Sequence, residues 1–145
     1  MKLKFDIVGK HQPDPYIFED GGRLYLYVTA PRGVEAYSAD DLFGVWHFEG
    51  IVASFDGRYD YWAPSVTKIE GRYYLYVSCS TDDEFQFMHA AVADSPLGPF
   101  TYGGTIIDGR GRTMNPSGKI IETATPGGNT HGSHRQGTWY RQLRW

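Results

Sequence analysis

The chain contains the same unit twice. Asp14–Val28, DPYIFEDGGRLYLYV, lies over Ala63–Val77, APSVTKIEGRYYLYV, at an offset of 49 residues with no gap. Seven of the fifteen positions are identical: the Pro, the turn Gly, the Arg, then Tyr, Leu, Tyr and Val. The downstream halves agree at an offset of 54, where Ala39-Asp40 matches Ala93-Asp94, Gly44 matches Gly98, Trp46 aligns with Phe100 and Gly50 matches Gly104. A tandem repeat of this length restricts the fold strongly. Each copy must be one supersecondary unit that buries its faces against the next.

Each unit reads as four short strands. The first gives Tyr16–Glu19, a hairpin at Asp20-Gly21-Gly22, then Leu24–Val28, Gly33–Ser38 and Trp46–Val52. The second gives Ser65–Ile69, Arg72–Ser78, Met88–Ala93 and Phe100–Ile107. Glycine at the hairpin adopts positive φ at low cost. No segment longer than a turn has helical periodicity. The composition agrees, with 16% aromatics and 18 Gly in 145 residues.

These features predict an all-β chain of β-propeller blades, each of four antiparallel strands. Blade one covers about residues 12–55, blade two about 60–107, and a degraded third unit 108–145. A β-sandwich with a duplicated hairpin is the alternative. The third unit is weak, since HGSHRQGTWYRQLRW, residues 131–145, only faintly echoes the earlier strands. The chain therefore holds about two and a half blades, and propellers close with about four or more. Closure requires either assembly of copies, as a homodimer or higher even homo-oligomer, or a longer protein of which this is a piece.

Composition narrows the partners. The net charge is −3 and Lys and Arg form no block, so nucleic acid is not an expected partner. No apolar run has the roughly 18 residues of a membrane span, so no membrane partner is expected. The N-terminus, MKLKFDIVGK, has no apolar signal core, which gives a cytoplasmic expectation. The single cysteine, Cys79, excludes an internal disulfide and reads as a buried structural residue.

Asp14 is the most informative single position. It opens the first strand between Pro13 and Pro15, and the repeat places Ala63 at the same point of the second unit. The unit itself therefore does not need a carboxylate there. Antiparallel pairing puts the start of a unit's first strand and the end of its second on one face. Asp14, Trp62-Ala63, Thr29-Ala30 and the loop carrying Asp82, Asp83 and Glu84 should thus rim one mouth.

The segments HQPDPYIFEDGGRLYLYVT, YWAPSVTKIEGRYYLYVS and ADSPLGPFTYGGTIID resemble glycoside hydrolase family 43, over roughly residues 10 to 108. The resemblance implies a five-bladed propeller acting on xylose- or arabinose-containing glycans, with an oligosaccharide or aryl-glycoside substrate. It implies that Asp14 is the general base of an inverting mechanism, and that Trp62 lies at the sugar pocket. His131, in GNTHGS, would by the same likeness help hold an axial calcium or other metal ion, although no cofactor is required. Inverting enzymes use two carboxyls about 6.5–9.5 Å apart, one activating water and one protonating the leaving oxygen. The motif that carries a Glu in some relatives holds Trp62 here, so the acid is sought among Asp82, Asp83 and Glu84, or in another copy. Glu84 and Asp83 are the catalytic candidates, and His11, Tyr61, Trp62 and Asp82 the substrate-binding ones. Asp108, in TIID, is weighed as a stand-in for the family's third aspartate, with an ordinary loop residue the favoured reading. Two rival readings remain: a non-catalytic carbohydrate-binding half-propeller, and an inactive truncated remnant.

Overall fold

The computed structural model describes residues 3–6 and 13–114, and among these residues there is no helix. Nine strands form: β1 (Lys4–Phe5), β2 (Tyr16–Asp20), β3 (Arg23–Val28), β4 (Val34–Ala39), β5 (Val45–Ala53), β6 (Tyr59–Ile69), β7 (Arg72–Ser80), β8 (Phe87–Ala93) and β9 (Thr101–Thr105). They make two sheets, ordered β1-β5-β4-β3-β2 and β6-β7-β8-β9. Each repeat unit is thus a four-strand antiparallel meander, as the sequence leads one to expect.

Two features depart from that expectation. β1 adds a fifth strand, pairing parallel to β5 through Lys4–Val45 and Phe5–Trp46. Two residues are too few to carry a period-2 pattern, so sequence gives no sign of it. β6 begins at Tyr59, six residues before the expected Ser65, with breaks in register on both sides of Trp62. Asp60 and Ala63 take positive φ there, of 53° and 48°. Such irregular stretches re-aim side chains, and their broken alternation hides them from pattern reading.

The repeat persists in atomic detail. Both first hairpins turn in two residues, at Gly21-Gly22 (φ 62° and 81°) and Glu70-Gly71 (φ 50° and 82°). Two consecutive positive φ angles are the tight-hairpin geometry that suits strand twist. The shared arginine meets the shared aspartate in each unit, Arg23 with Asp40 at 3.6 Å and Arg72 with Asp94 at 3.2 Å. Trp46 and its counterpart Phe100 are both buried.

The main core lies between the sheets. Tyr27, Val34, Ala36 and Val52 of the first face Val66, Leu75, Val77, Cys79 and Ala91 of the second. A second cluster of Leu26, Val28, Tyr37, Ala39 and Trp46 lies on the far side of the first sheet, with Phe5 of β1 packed against it. Polar ties lock the sheets together. Ala30 and Tyr61 exchange backbone hydrogen bonds at 3.1 and 3.0 Å. The Tyr27 hydroxyl donates to the Pro96 carbonyl at 2.6 Å. Asp20 accepts from Lys68 Nζ at 2.7 Å and from the Tyr73 hydroxyl at 2.6 Å. Sequentially adjacent meanders stacked face to face are how propeller blades pack.

Candidate active site

Asp14 takes φ 52°, a left-handed conformation that aspartate tolerates better than most residues. Its counterpart Ala63 has φ 48°, so the chain makes the same turn into both sheets. The Asp14 carboxylate is exposed, and one oxygen, Oδ2, accepts from the Thr29 hydroxyl at 2.9 Å. The Thr29 hydroxyl in turn accepts from the Ala63 amide at 3.0 Å. The Thr29 amide donates to the Pro13 carbonyl at 3.1 Å. Thr29 therefore ties together the start of β2, the end of β3 and the start of β6. It orients Asp14 through one oxygen, while Oδ1 bonds no described residue.

Beside Ala63, the Trp62 ring is 39% exposed and meets Phe85 edge to face at 5.8 Å. Phe85 is 69% exposed, a costly state for such a ring unless something flat covers it. Phe85 ends the loop that carries Asp82, Asp83 and Glu84. That loop is built rather than loose. The Thr81 hydroxyl accepts from the Glu84 amide at 3.1 Å and the Asp83 amide at 3.3 Å. At the other end Gln86 is 3% exposed and donates through Nε2 to the Asp60 carbonyl at 2.9 Å and Ser80 Oγ at 3.2 Å. The three acidic side chains are exposed and bond no described residue.

Other sequence candidates fall elsewhere. Tyr61 is a correction: it is 0% exposed, so no ring surface is left for a sugar. Its hydroxyl accepts from the Phe55 amide at 2.6 Å and donates to the Phe55 carbonyl at 3.2 Å, clamping the loop before β6. Asp108 is also structural. It takes the Arg112 guanidinium through Oδ2 at 2.7 and 2.9 Å, and the Arg110 and Arg112 amides through Oδ1 at 2.8 and 3.0 Å. These donors hold its carboxyl down at about 2. Cys79 is buried as expected, and desolvation pushes its thiol up to about 11, which leaves it without nucleophilic character. His11 and His131 lie outside the described residues. Among the described residues no three His, Cys, Asp or Glu side chains come together to hold a metal ion.

Sequence reasoning placed Thr29 and the loop of Phe85 at the mouth but gave neither a part in the site. The bonds of Thr29 appear only once Asp14 and Ala63 are seen to converge on it, and Phe85 was legible as an apolar residue in an acidic loop.

Comparison with known proteins supplies the remaining observation. The pattern of glycosyl hydrolases family 43 matches residues 6–118. The chain belongs to glycoside hydrolase family 43. Within the family it is 37% identical over 76 residues to the probable arabinan endo-1,5-alpha-L-arabinosidase C of Aspergillus clavatus, covering 48% of this chain and 24% of that protein. It is 27% identical over 122 residues to arabinan endo-1,5-alpha-L-arabinosidase A of Aspergillus niger, covering 80% and 37%. The endo-arabinase structure from Bacteroides thetaiotaomicron superposes with a TM-score of 0.57 at 28% identity, over 78% of this chain and 47% of that one. A putative exo-beta-1,3-galactanase structure from Bifidobacterium bifidum gives 0.62 at 25% identity, over 81% and 47%. The family-43 chain thus spans less than half the length of each of these proteins.

Proposed function

We propose that this family-43 chain carries the water-activating half of a glycosidase for arabinose-containing glycans. The single observation behind this reading is the Thr29-held Asp14 carboxylate, with one oxygen that bonds no described residue, beside an exposed Trp62–Phe85 pair. A general base needs a fixed direction and a free lone pair. Asp14 has both. The aromatic pair suits the apolar face of a sugar ring. The names of the arabinan-cleaving relatives favour arabinose over xylose as the sugar recognised.

In this reading Asp14 takes a proton from water as the water attacks the anomeric carbon, and inversion follows. A second carboxyl gives its proton to the leaving oxygen. Glu84 or Asp83 supplies it, or a carboxyl outside the described residues, or one from another copy, and Asp82 lines the rim. His11 joins the substrate pocket and His131 a metal position only in this proposal, and no step runs through a metal. Pairing two copies into an even assembly would cover the free edges of β6 and β9.

A panel of linear arabinan, aryl α-L-arabinofuranoside, xylan and aryl β-xyloside tests the reading. Turnover of the arabinosides, with the inverted anomer seen first by NMR, is the expected result. Binding without turnover would instead make the chain a carbohydrate-binding module. Neither binding nor turnover would leave a scaffold alone.

A further inference from the structure

An open groove shares no residue with the mouth around Asp14. It holds about 380 Å³ between the loop joining the two sheets and the first residues of β9, lined by Ser54, Phe55, Asp56, Arg58, Phe100, Thr101 and Tyr102. That volume is within the range of small-molecule sites. Every lining residue belongs to the two described sheets and their connections, so the groove needs no further chain to exist.

Arg58 is its distinctive member. The guanidinium carbon lies 4.2 Å from the centre of the Tyr102 ring. Nη2 donates to the Tyr102 hydroxyl at 2.8 Å and Nη1 to the Asp56 carbonyl at 3.3 Å. Nε is buried and makes no hydrogen bond. Among the described residues Arg58 forms no salt bridge. Each Nη keeps a second hydrogen, and a guanidinium with spare donors and no salt bridge among the described residues can take an anion.

The cation is also fixed in place. The Tyr102 hydroxyl lies 3.1 Å from His89 Nδ1 and 3.3 Å from Thr105 Oγ1, and His89 is 1% exposed. On the other side the Tyr61 hydroxyl clamps Phe55 through both its amide and its carbonyl. Both the loop and the ring beneath the guanidinium are thus anchored in the core, and preorganised donors bind at a lower entropic cost.

We propose that this groove is a second binding site, for the carboxylate of a small organic acid, with the planar guanidinium of Arg58 as its anchor. Guanidinium and carboxylate match as a two-pronged pair. Phe55, Phe100 and Tyr102 form the groove's floor and are mostly buried, so the recognition falls on the guanidinium, and a sugar acid and a short aliphatic acid are told apart by titration. Asp56 lines the same groove and opposes the anion, so it limits affinity and disfavours dianions.

The full chain titrated with galacturonate, galactose and acetate at constant ionic strength, followed by NMR or calorimetry, tests this directly. Saturable galacturonate binding, at least tenfold tighter than galactose, is the expected result. Acetate binding as tightly as galacturonate would make the site one for simple acids, and weaker acetate binding one for sugar acids. Arg58→Gln should weaken binding about tenfold or more, and Asp56→Asn should tighten it about two- to fivefold. Because Asp56 touches Arg58 only through its backbone carbonyl, Asp56→Asn keeps the test open if Arg58→Gln fails to fold. Asp14→Asn should leave this binding unchanged, which separates it from the glycosidase reading. No saturable binding of either acid, equal binding of galactose, or indifference to both substitutions would overturn the proposal and leave Arg58 as a strut between loop and strand.

Discussion

Thr29 decides what Asp14 can do. Its hydroxyl is the only described group that bonds the Asp14 carboxylate, and it is held in turn by the Ala63 amide. Thr29→Val keeps the shape and removes the bond. It should lower kcat on arabinan about tenfold, with little change in KM. Thr29→Ser restores the hydroxyl and should recover most of the rate. A merely structural role would lower the denaturant midpoint and move KM together with kcat. Asp14 itself was legible because the repeat offers an internal control, with Ala63 at the same point. Thr29 was placed at the same mouth, but its bond to Asp14 was not legible, because a threonine at a strand end has many ordinary uses. Tyr61 was misread for a related reason. It stands next to Trp62 in sequence, but adjacent strand residues point to opposite faces, so one ring turns inward and the other out.

The two hairpins offer a matched pair of turns. Both need positive φ at both turn positions, and the first meets this with Gly21-Gly22. The second places Glu70 at φ 50°, where a side chain with a Cβ is strained. Glu70→Gly or Glu70→Asn should therefore stabilise the chain by about 0.5–1 kcal/mol, read as a rise in the denaturant midpoint at unchanged slope. The same exchange at a turn with negative φ would do the opposite. Strand positions were read correctly from the alternation and the repeat, since β3, β4, β7 and β8 each match within two residues. β1 and the early start of β6 escaped because neither has an uninterrupted alternation to detect. One lies in two residues and the other crosses two breaks in register.

The sheet pair also carries a built-in acid sensitivity. His89 is 1% exposed, and burial, reinforced by Arg58, depresses its pKa from 6.5 to about 4. The unfolded chain therefore takes up a proton that the folded chain refuses as pH falls below 6.5. Stability should drop from pH 6.5 to about 4, by up to about 3 kcal/mol, and then level off as far as this residue is concerned. Asp20 and Asp108 act in a separate window. Their carboxyls are depressed below 3.8 by Lys68 and Arg112 respectively, so their contribution holds above that pH and fades only below it. Urea midpoints at pH 7 and pH 4.5 check the assignment, and His89→Gln should flatten the difference between them. The overall architecture was visible in the sequence because a repeated unit must stack on its copy. How many units the fold needs was not, since the sequence after Asp108 loses the strand pattern of the first two units.

The central claim is that the Asp14 carboxylate activates water. Steady-state hydrolysis of linear arabinan by the full chain and by Asp14→Asn, at equal fold as judged by circular dichroism, measures it most directly. The account expects wild-type turnover and a fall of about 10²–10⁴-fold in kcat for the variant, with substrate still bound. Equal turnover by the two proteins would contradict it and move the base to another residue.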